Sequence, residues 1–248
     1  MVRIFSSCIN VKHAAYFSDI KDTAININSS NEEGFIQKND ILSIYITSLN
    51  NEASSIFNNP NTLSISNTAS NGSTTNLSGY LVNTDGNIQI PIIGTIKAEG
   101  LTKKELKQKI TDIILDKKLL LDPIVNIRQL NYEVTIIGEV DKPSVINVPN
   151  EKISLLKALG IAGDITVYGK KNNVLLVREI NGKREVKKID LNSKDFIMSP
   201  YYYLQSNDIV YVEPNRQKII SASRIQQLLP TILSALSILA IIFTRNLW

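Results

Sequence analysis

The sequence predicts an α+β protein: two small β-rich units, each with one helix, then a membrane-associated α-helix at the C-terminus. Three observations predict it. Short β-forming runs are separated by Asn-Asp, Asp-Gly and Asn-Gly turns, the punctuation of strands and hairpins. Two helical patterns interrupt the strands, one opened by Thr102-x-x-Glu105 and one preceded by Ser154. From Leu228 to Phe243 no residue is charged.

Residues 10–27 read as an irregular lead-in. "GFIQKNDILSIYITSL" predicts a strand through Ile41, Leu42, Ile44, Tyr45 and Ile46 after an Asn-Asp turn. Ala53 to Gly79 is rich in Ser, Asn and Thr, buries little, and is expected to be a loop or mobile insertion. Asp85-Gly86 predicts a tight turn between two β segments, with Ile88, Ile90 and Ile92 on one strand face and Gly94 and Gly100 breaking the run. The capping box Thr102/Glu105 opens a helix whose buried face is Leu106, Ile110, Ile113 and Ile114. Lys103, Lys104, Lys107 and Lys109 are expected on its solvated side. Asp122-Pro123 ends the helical region, and Ile124–Leu130 returns as a strand.

The second unit starts with the strand "YEVTIIGEV", ending at Gly138, and "DKPSVINV" supplies the next. "SLLKALGIAGDI" predicts a short helix capped by Ser154 and stopped by Gly160 or Gly163. "VLLVREINGKREVKKIDL" predicts a hairpin on Asn181-Gly182, and "YLQSNDIVYVEP" a last strand. That last stretch echoes "FIQKNDILSIYI", too far away for a short solenoid repeat. Asp40 and Asp208 therefore read as turn formers that bond their own backbone, not as catalytic carboxylates, since neither has an evident partner in the sequence.

The tail needs its own account. Leu228–Phe243 is roughly 24 Å of helix, short for a bilayer core of about 30 Å. At about 100° per residue, Ser223, Gln227, Thr231 and Ser234 share one side, with Ser237 at its edge and Arg245 returning to the stripe. Such a stripe packs on neighbouring helices through small residues, or faces water in an oligomeric pore. Arg245 and Trp248 suit a membrane–water interface. Pro230 is tolerable near the start of the apolar stretch, as it is at a helix's first turn. A helix buried in the soluble body is the alternative.

Composition narrows the function. Net charge is +4 and aromatics are 6%, with no alternation of aromatic and basic residues, so nucleic acid is not an expected partner. One cysteine and one histidine provide no Cys-rich or His-based metal site and no His-dependent triad. No nucleophile–base pair or phosphate loop stands out, so neither catalysis nor a cofactor is expected. His13 reads as a surface or interface residue. "FSSC" resembles the end of a lipoprotein signal whose start is truncated, with Cys8 as the lipidated residue; a free thiol is the alternative.

Four stretches, in order, resemble the outer-membrane polysaccharide export family, the Wza-type lipoproteins: "QKNDILSIYI", with Asn39 where glycine is usual; "DGNIQIPIIGTIKAEGLTKKEL"; "LDPIVNIRQLNYEVTIIGEVDKPSVINV"; and "LQSNDIVYVEP". The resemblance implies residues 1–27 as truncated signal and lead-in and 28–130 as the export domain, carrying the 53–79 insertion. Residues 131–215 become one soluble-ligand-binding β-grasp domain and 216–248 the transmembrane or amphipathic helix. It further implies a homo-oligomeric ring, lipid-anchored in the bacterial outer membrane with periplasmic domains. That ring would take polysaccharide from an inner-membrane copolymerase or tyrosine kinase and pass it between the tails. The rival is a membrane-anchored periplasmic module that binds a glycan or partner and docks on a separate channel. Tyr201–Tyr203 are candidate sugar contacts, and strand packing explains them equally well.

Overall fold

A computed structural model describes residues 15–18, 34–58, 65–68, 74–180, 182–221 and 224–245. The chain is a mix of small sheets and few helices. In the first domain β1 (Ile41–Thr47) is central, with short α1 (Asn51–Ser55) after it. Two strands, β2 (Ile65–Thr68) and β3 (Thr74–Leu77), pair only with each other, antiparallel. β1 is flanked antiparallel by β4 (Tyr80–Leu81) and β7 (Ile124–Gln129). Between those two lie the hairpin β5 (Asn87–Ile90) and β6 (Gly94–Lys97), then α2 (Lys103–Asp116). The capping box of α2 is formed on both sides, and Leu106, Ile110 and Ile114 are fully buried with Ile113 partly so. Each such side chain contributes about 1.5–3 kcal/mol through burial.

Several sequence expectations are corrected here. Ile92 does not continue the face of Ile88 and Ile90: Pro91 turns the chain, Ile92 has φ 68° and is exposed, and Ile93 takes the buried place. The Asp85-Gly86 turn is, as expected, a tight turn between two β segments: it joins β4 to β5, and Gly86 N–H donates to the Asn83 carbonyl at 2.9 Å; the neighbouring hairpin ladder is β5–β6. α2 ends at Asp116, before Asp122-Pro123, because Lys118 turns left-handed at φ 54°. The start of the 53–79 stretch does bury: Phe57 lies in the core and its carbonyl accepts from the Tyr80 hydroxyl at 3.2 Å.

The second domain is a mixed five-stranded sheet. Its strands are β8 (Glu133–Gly138), β9 (Ser144–Asn147), β11 (Gly169–Ile180), β12 (Lys183–Ile189) and β14 (Ile209–Pro214). Their order is β12-β11-β14-β8-β9, with β14 and β8 parallel and the other pairs antiparallel. A short pair, β10 (Ile153–Ser154) with β13 (Tyr203–Leu204), lies beside α3 (Leu155–Ile161), which Ser154 caps as expected. Ile180 pairs with Lys183 across the β11–β12 connection; Gly182 has φ 71°, and Asn181 lies outside the described residues. Gly138 must be glycine: φ is 94°, and a Cβ would stand 2.2 Å from the Val212 carbonyl oxygen. One sheet face carries Val134, Ile136, Val174, Leu176, Val210 and Val212 into the core with α3.

The opposite face is not polar, although an antiparallel sheet facing water ordinarily alternates apolar and polar residues. The register aligns Val145, Thr135, Ile209, Val177 and Val186 in one row across all five strands. Ile137, Tyr211, Leu175 and Lys188 make the next row. Val145 and Val186 are 55% and 61% exposed, so this apolar band is bare.

The two echoing motifs are the same turn, as expected. Gln37 N–H donates to Asp40 Oδ2 at 2.8 Å, and Gln205 N–H donates to Asp208 Oδ2 at 2.7 Å. Asn39 and Asn207 are left-handed at φ 67° and 65°, a conformation asparagine tolerates. Both aspartates are buried, and contrary to expectation both have side-chain partners. Arg178 grips Asp208 twice, Nε to Oδ1 at 2.9 Å and Nη2 to Oδ2 at 2.7 Å. Gln129 Nε2 donates to Asp40 Oδ1 at 2.8 Å and to Ser206 Oγ at 3.0 Å, tying one turn to the other across the domain junction. Lys103 is not simply solvated: it pairs with Glu151 of the second domain, whose Oε1 also accepts from Gln129 N–H at 3.1 Å. Lys109 also reaches inward, to the Lys97 carbonyl.

Two tests follow from these turns. Arg178→Met leaves Asp208 buried without its ion partner and is expected to lower unfolding free energy by about 3–5 kcal/mol in urea titration. Adding Asp208→Asn should recover part of it; a single-variant loss below about 1 kcal/mol would contradict a structural role for the pair. Burial pushes Asp40 up to about 6. The folded state therefore holds a proton that the unfolded chain releases at lower pH. Stability from this site is present in acid and lost as pH rises through about 4 to 6. Thermal unfolding of Asp40→Asn should show a flatter pH profile over that window, and identical slopes would rule the assignment out.

Candidate functional site

Beyond β14 the chain forms α4 (Arg216–Ser221) and then α5 (Arg224–Arg245). Asn215 fixes their root: its N–H donates to the Tyr168 carbonyl at 2.6 Å, its Nδ2 to Val167, and its Oδ1 accepts from Lys218 N–H at 3.1 Å. Lys218 Nζ lies 3.0 Å from Glu139 and over the Tyr168 ring. So the tail is rooted on the loop that runs from Asp164 to Gly169.

The same loop receives the N-terminal lead-in. Tyr16 and Phe17, expected to be irregular, pack against the core of the second domain. The Tyr16 hydroxyl bonds Asp164, the Lys171 ammonium lies 4.2 Å from its ring centre, and Phe17 N–H donates to the Leu191 carbonyl at 3.1 Å. Burial, then the Asp164 hydrogen bond, pushes the Tyr16 phenol well above its usual range. No pattern in "HAAYFS" marks a partner nearly 150 positions away. Val167, at the tip of this shared root, is 85% exposed.

α5 is one continuous helix. Leu228, Ile232, Leu233, Leu236, Ile238, Leu239, Ile241 and Ile242 are 52–65% exposed, so apolar side chains face outward around the rod. Among the described residues, no helix is long and apolar enough to cross a membrane. Thr231, Ser234 and Ser237 are exposed, but the two serine hydroxyls are turned inward on the helix itself. Ser234 Oγ donates to the Thr231 carbonyl at 2.9 Å, and Ser237 Oγ to the Ser234 carbonyl at 2.8 Å. Ile238 and Ile241 interrupt the stripe beyond them. Pro230 lies inside α5 instead of its first turn, so one rung of helix hydrogen bonds is missing there. Gln227 and Arg245 fall in the first and last turns of α5. Cys8, His13, Ser223 and Trp248 lie outside the described residues.

Tyr201–Tyr203 divide in role. Tyr202 packs inward, its ring 5.5 Å from Phe196 and edge-on to Tyr203 at 5.0 Å. Lys187 reaches over the Tyr201 ring at 5.5 Å and Lys152 over the Tyr203 ring at 4.4 Å. Arg178 lies 5.6 Å from the Tyr201 ring on the way to Asp208. Tyr201 and Tyr202 are half-buried and pack against the core of the second domain, while Tyr203 is the exposed phenol, with an ammonium group at its face.

A shallow cleft of about 360 Å³ lies at the domain junction, lined by Lys103, Ile127, Arg128, Pro149, Asn150 and Glu151. The Lys103–Glu151 ion pair sits in its wall, which makes the cleft part of the joint. Among the described residues, no group of three or more His, Cys, Asp or Glu is placed to hold a metal.

Comparison with known proteins agrees with this division. Residues 28–130 match the family described as polysaccharide biosynthesis/export protein, and residues 132–212 match the SLBB domain. The chain is 34% identical over 144 residues to the EPS I polysaccharide export outer membrane protein EpsA of Ralstonia solanacearum, covering 57% of this chain and 37% of that protein. It is 34% identical over 149 residues to the protein of the same name from Ralstonia nicotianae, covering 58% and 38%. The chain thus matches well under half the length of these relatives. The chain carries, in order, a region that matches the polysaccharide biosynthesis/export protein family and, directly after it, one that matches the SLBB domain.

Proposed function

We propose that this chain is a subunit of an oligomer that exports polysaccharide across the bacterial outer membrane. The observation that carries the reading is α5, whose described apolar side chains are exposed, rooted beside the dock of the N-terminal segment. An apolar surface of that kind calls for lipid or protein around it. Both chain ends leave the second domain at one loop, so a lipid on Cys8 and the tail helix reach the same membrane. The apolar run is short, and a short span is accommodated by oligomerising and by the thinner outer membrane. Several tails then shelter one another, with Arg245 and Trp248 at the interface and the Ser223, Gln227, Thr231, Ser234, Ser237 stripe toward neighbouring helices. The domains stand in the periplasm as a ring. The second is read as a β-grasp ligand-binding fold, on the support of its mixed sheet and single packed helix. Polysaccharide arrives from an inner-membrane copolymerase or tyrosine kinase, with Tyr201 and Tyr203 as its contacts, and no bond is made or broken.

The serine hydroxyls favour a second reading for the tail alone. Because Ser234 and Ser237 satisfy themselves on their own helix, the stripe does not require water, and α5 also suits an anchor beside a separate channel.

Mass and shape of the full-length, lipidated protein in detergent decide between these, compared with a chain ending at Asn215. The export ring is expected to run several-fold heavier than one subunit and to lose that size without the tail. A full-length monomer unchanged by truncation would overturn the ring and leave the anchor. Ser234→Ala with Ser237→Ala should alter export with assembly intact if the stripe lines a pore, and change little if it does not.

A further inference from the structure

We infer that the loop from Asp164 to Gly169 rests on the lipid surface that α5 enters, with Val167 at the boundary of headgroups and acyl chains and with Lys142 and Arg216 on lipid phosphates. This rests on the membrane reading of the tail above and adds a contact made by the folded body of the second domain.

The strands set the direction. β11 and β14 are paired at Gly169 and Pro214, beside the root of the tail. Their other ends lead to the first domain, where the Glu179 carbonyl accepts from Gln37 Nε2 at 3.0 Å and Ser206 Oγ accepts from Gln129 Nε2. The loop therefore caps the end of the sheet turned away from the first domain. It is also fastened to the tail, because the Val167 and Tyr168 carbonyls both accept from Asn215, the residue before α4. A bilayer that takes α5 has this loop beside it.

Three features select lipid as the occupant. The first is the character of the tip. Val167 protrudes almost bare, Ile219 is exposed just past the same root, and Tyr168 carries the Lys218 ammonium over its ring. An apolar tip backed by a phenol and an ammonium suits the headgroup level. The second is charge. The carboxylates at this end are engaged within the subunit: Glu139 by Lys218 and Thr166, Glu213 by Lys170 and Asn173, and Asp164 by Tyr16. Lys142 and Arg216 are exposed and have no carboxylate partner among the described residues. Lys142 lies on the neighbouring turn, its N–H bonded to the Ala162 carbonyl. Asp141, packed against Gly163, adds one opposing charge. The balance is cationic, the sign that an anionic leaflet attracts. The third is size. One protruding valine with its neighbours falls far short of the roughly 800 Å² per partner of a stable protein interface. A bilayer already held through α5 requires no such area. The tip is also held outward, since Thr166 N–H donates to the Glu139 carbonyl at 3.0 Å and Gly169 N–H to the Thr166 carbonyl at 2.9 Å.

The experiment is tryptophan fluorescence of the full chain in vesicles of phosphatidylcholine and phosphatidylglycerol, with bromine on the lipid chains either near the headgroup or near the chain end. Trp248 is the one tryptophan, so single reporters go into a Trp248→Phe background. They are Val167→Trp on the loop, Leu236→Trp on α5, and Leu121→Trp, an exposed site at the far end of the first domain. Emission of the Val167→Trp reporter is expected to fall about twofold with bromine near the headgroup and less with bromine near the chain end, as for a side chain at the interface. The Leu121→Trp reporter is expected to keep its emission. Adding Lys142→Ser and Arg216→Ser is expected to weaken the loop signal, and an unchanged signal would overturn the role of these cations. Quenching on α5 without quenching on the loop would overturn the inference and leave the tail in lipid. Quenching of neither would overturn the membrane reading of the tail, and this contact with it. Equal quenching at Leu121→Trp would show indiscriminate adsorption and would also overturn the contact. If Val167→Trp disturbs the fold, hydrogen exchange of the wild-type loop replaces it: slower exchange on the vesicles than in neutral detergent is expected, and equal rates would overturn the inference.

Discussion

Two buried aspartates hold the body of this protein together. Asp40 and Asp208 each close a turn by accepting from the backbone three residues earlier, and each turn launches a principal strand, β1 in one domain and β14 in the other. A carboxylate can be buried only if its oxygens are matched. The match differs between the domains: a neutral amide, Gln129, for Asp40, and a guanidinium for Asp208. Because Gln129 also reaches Ser206, the solution adopted in the first domain becomes the hinge pin to the second. Loss of this matching would release the strand start, the turn and the joint together.

Local features were legible in the sequence. The Asn-Asp turns, the capping box at Thr102 and Glu105, the Ser154 cap and the pairing of Ile180 with Lys183 all depend on residues a few positions apart. Ile92 was not legible, because alternation continues on paper through Pro91 while the real chain turns there. The partners of the buried aspartates, the Lys103–Glu151 pair and the seat of Tyr16 and Phe17 are contacts between distant segments, which no local period reveals. The apolar band needed the strand order as well as the strands: Val145, Ile209 and Val186 look unrelated until the register lines them up.

The tail combines both kinds of evidence. Its apolarity is plain in the sequence, and the stripe of small polar residues invites a water-facing role. The side chains qualify that invitation, since the serine hydroxyls are spent on the helix backbone and two isoleucines close the stripe. A helix of this sort is comfortable beside lipid or other helices.

The common root of the two chain ends has a mechanical consequence. Tyr16 is seated on Asp164, and Asn215 on Val167 and Tyr168, so the two attachments are separated by only a few residues of one loop. A pull exerted between the ends is carried across that loop and does not pass through the domain junction. While Tyr16 and Phe17 stay seated, the first domain bears no tension from such a pull, and the Gln129 joint is shielded from it.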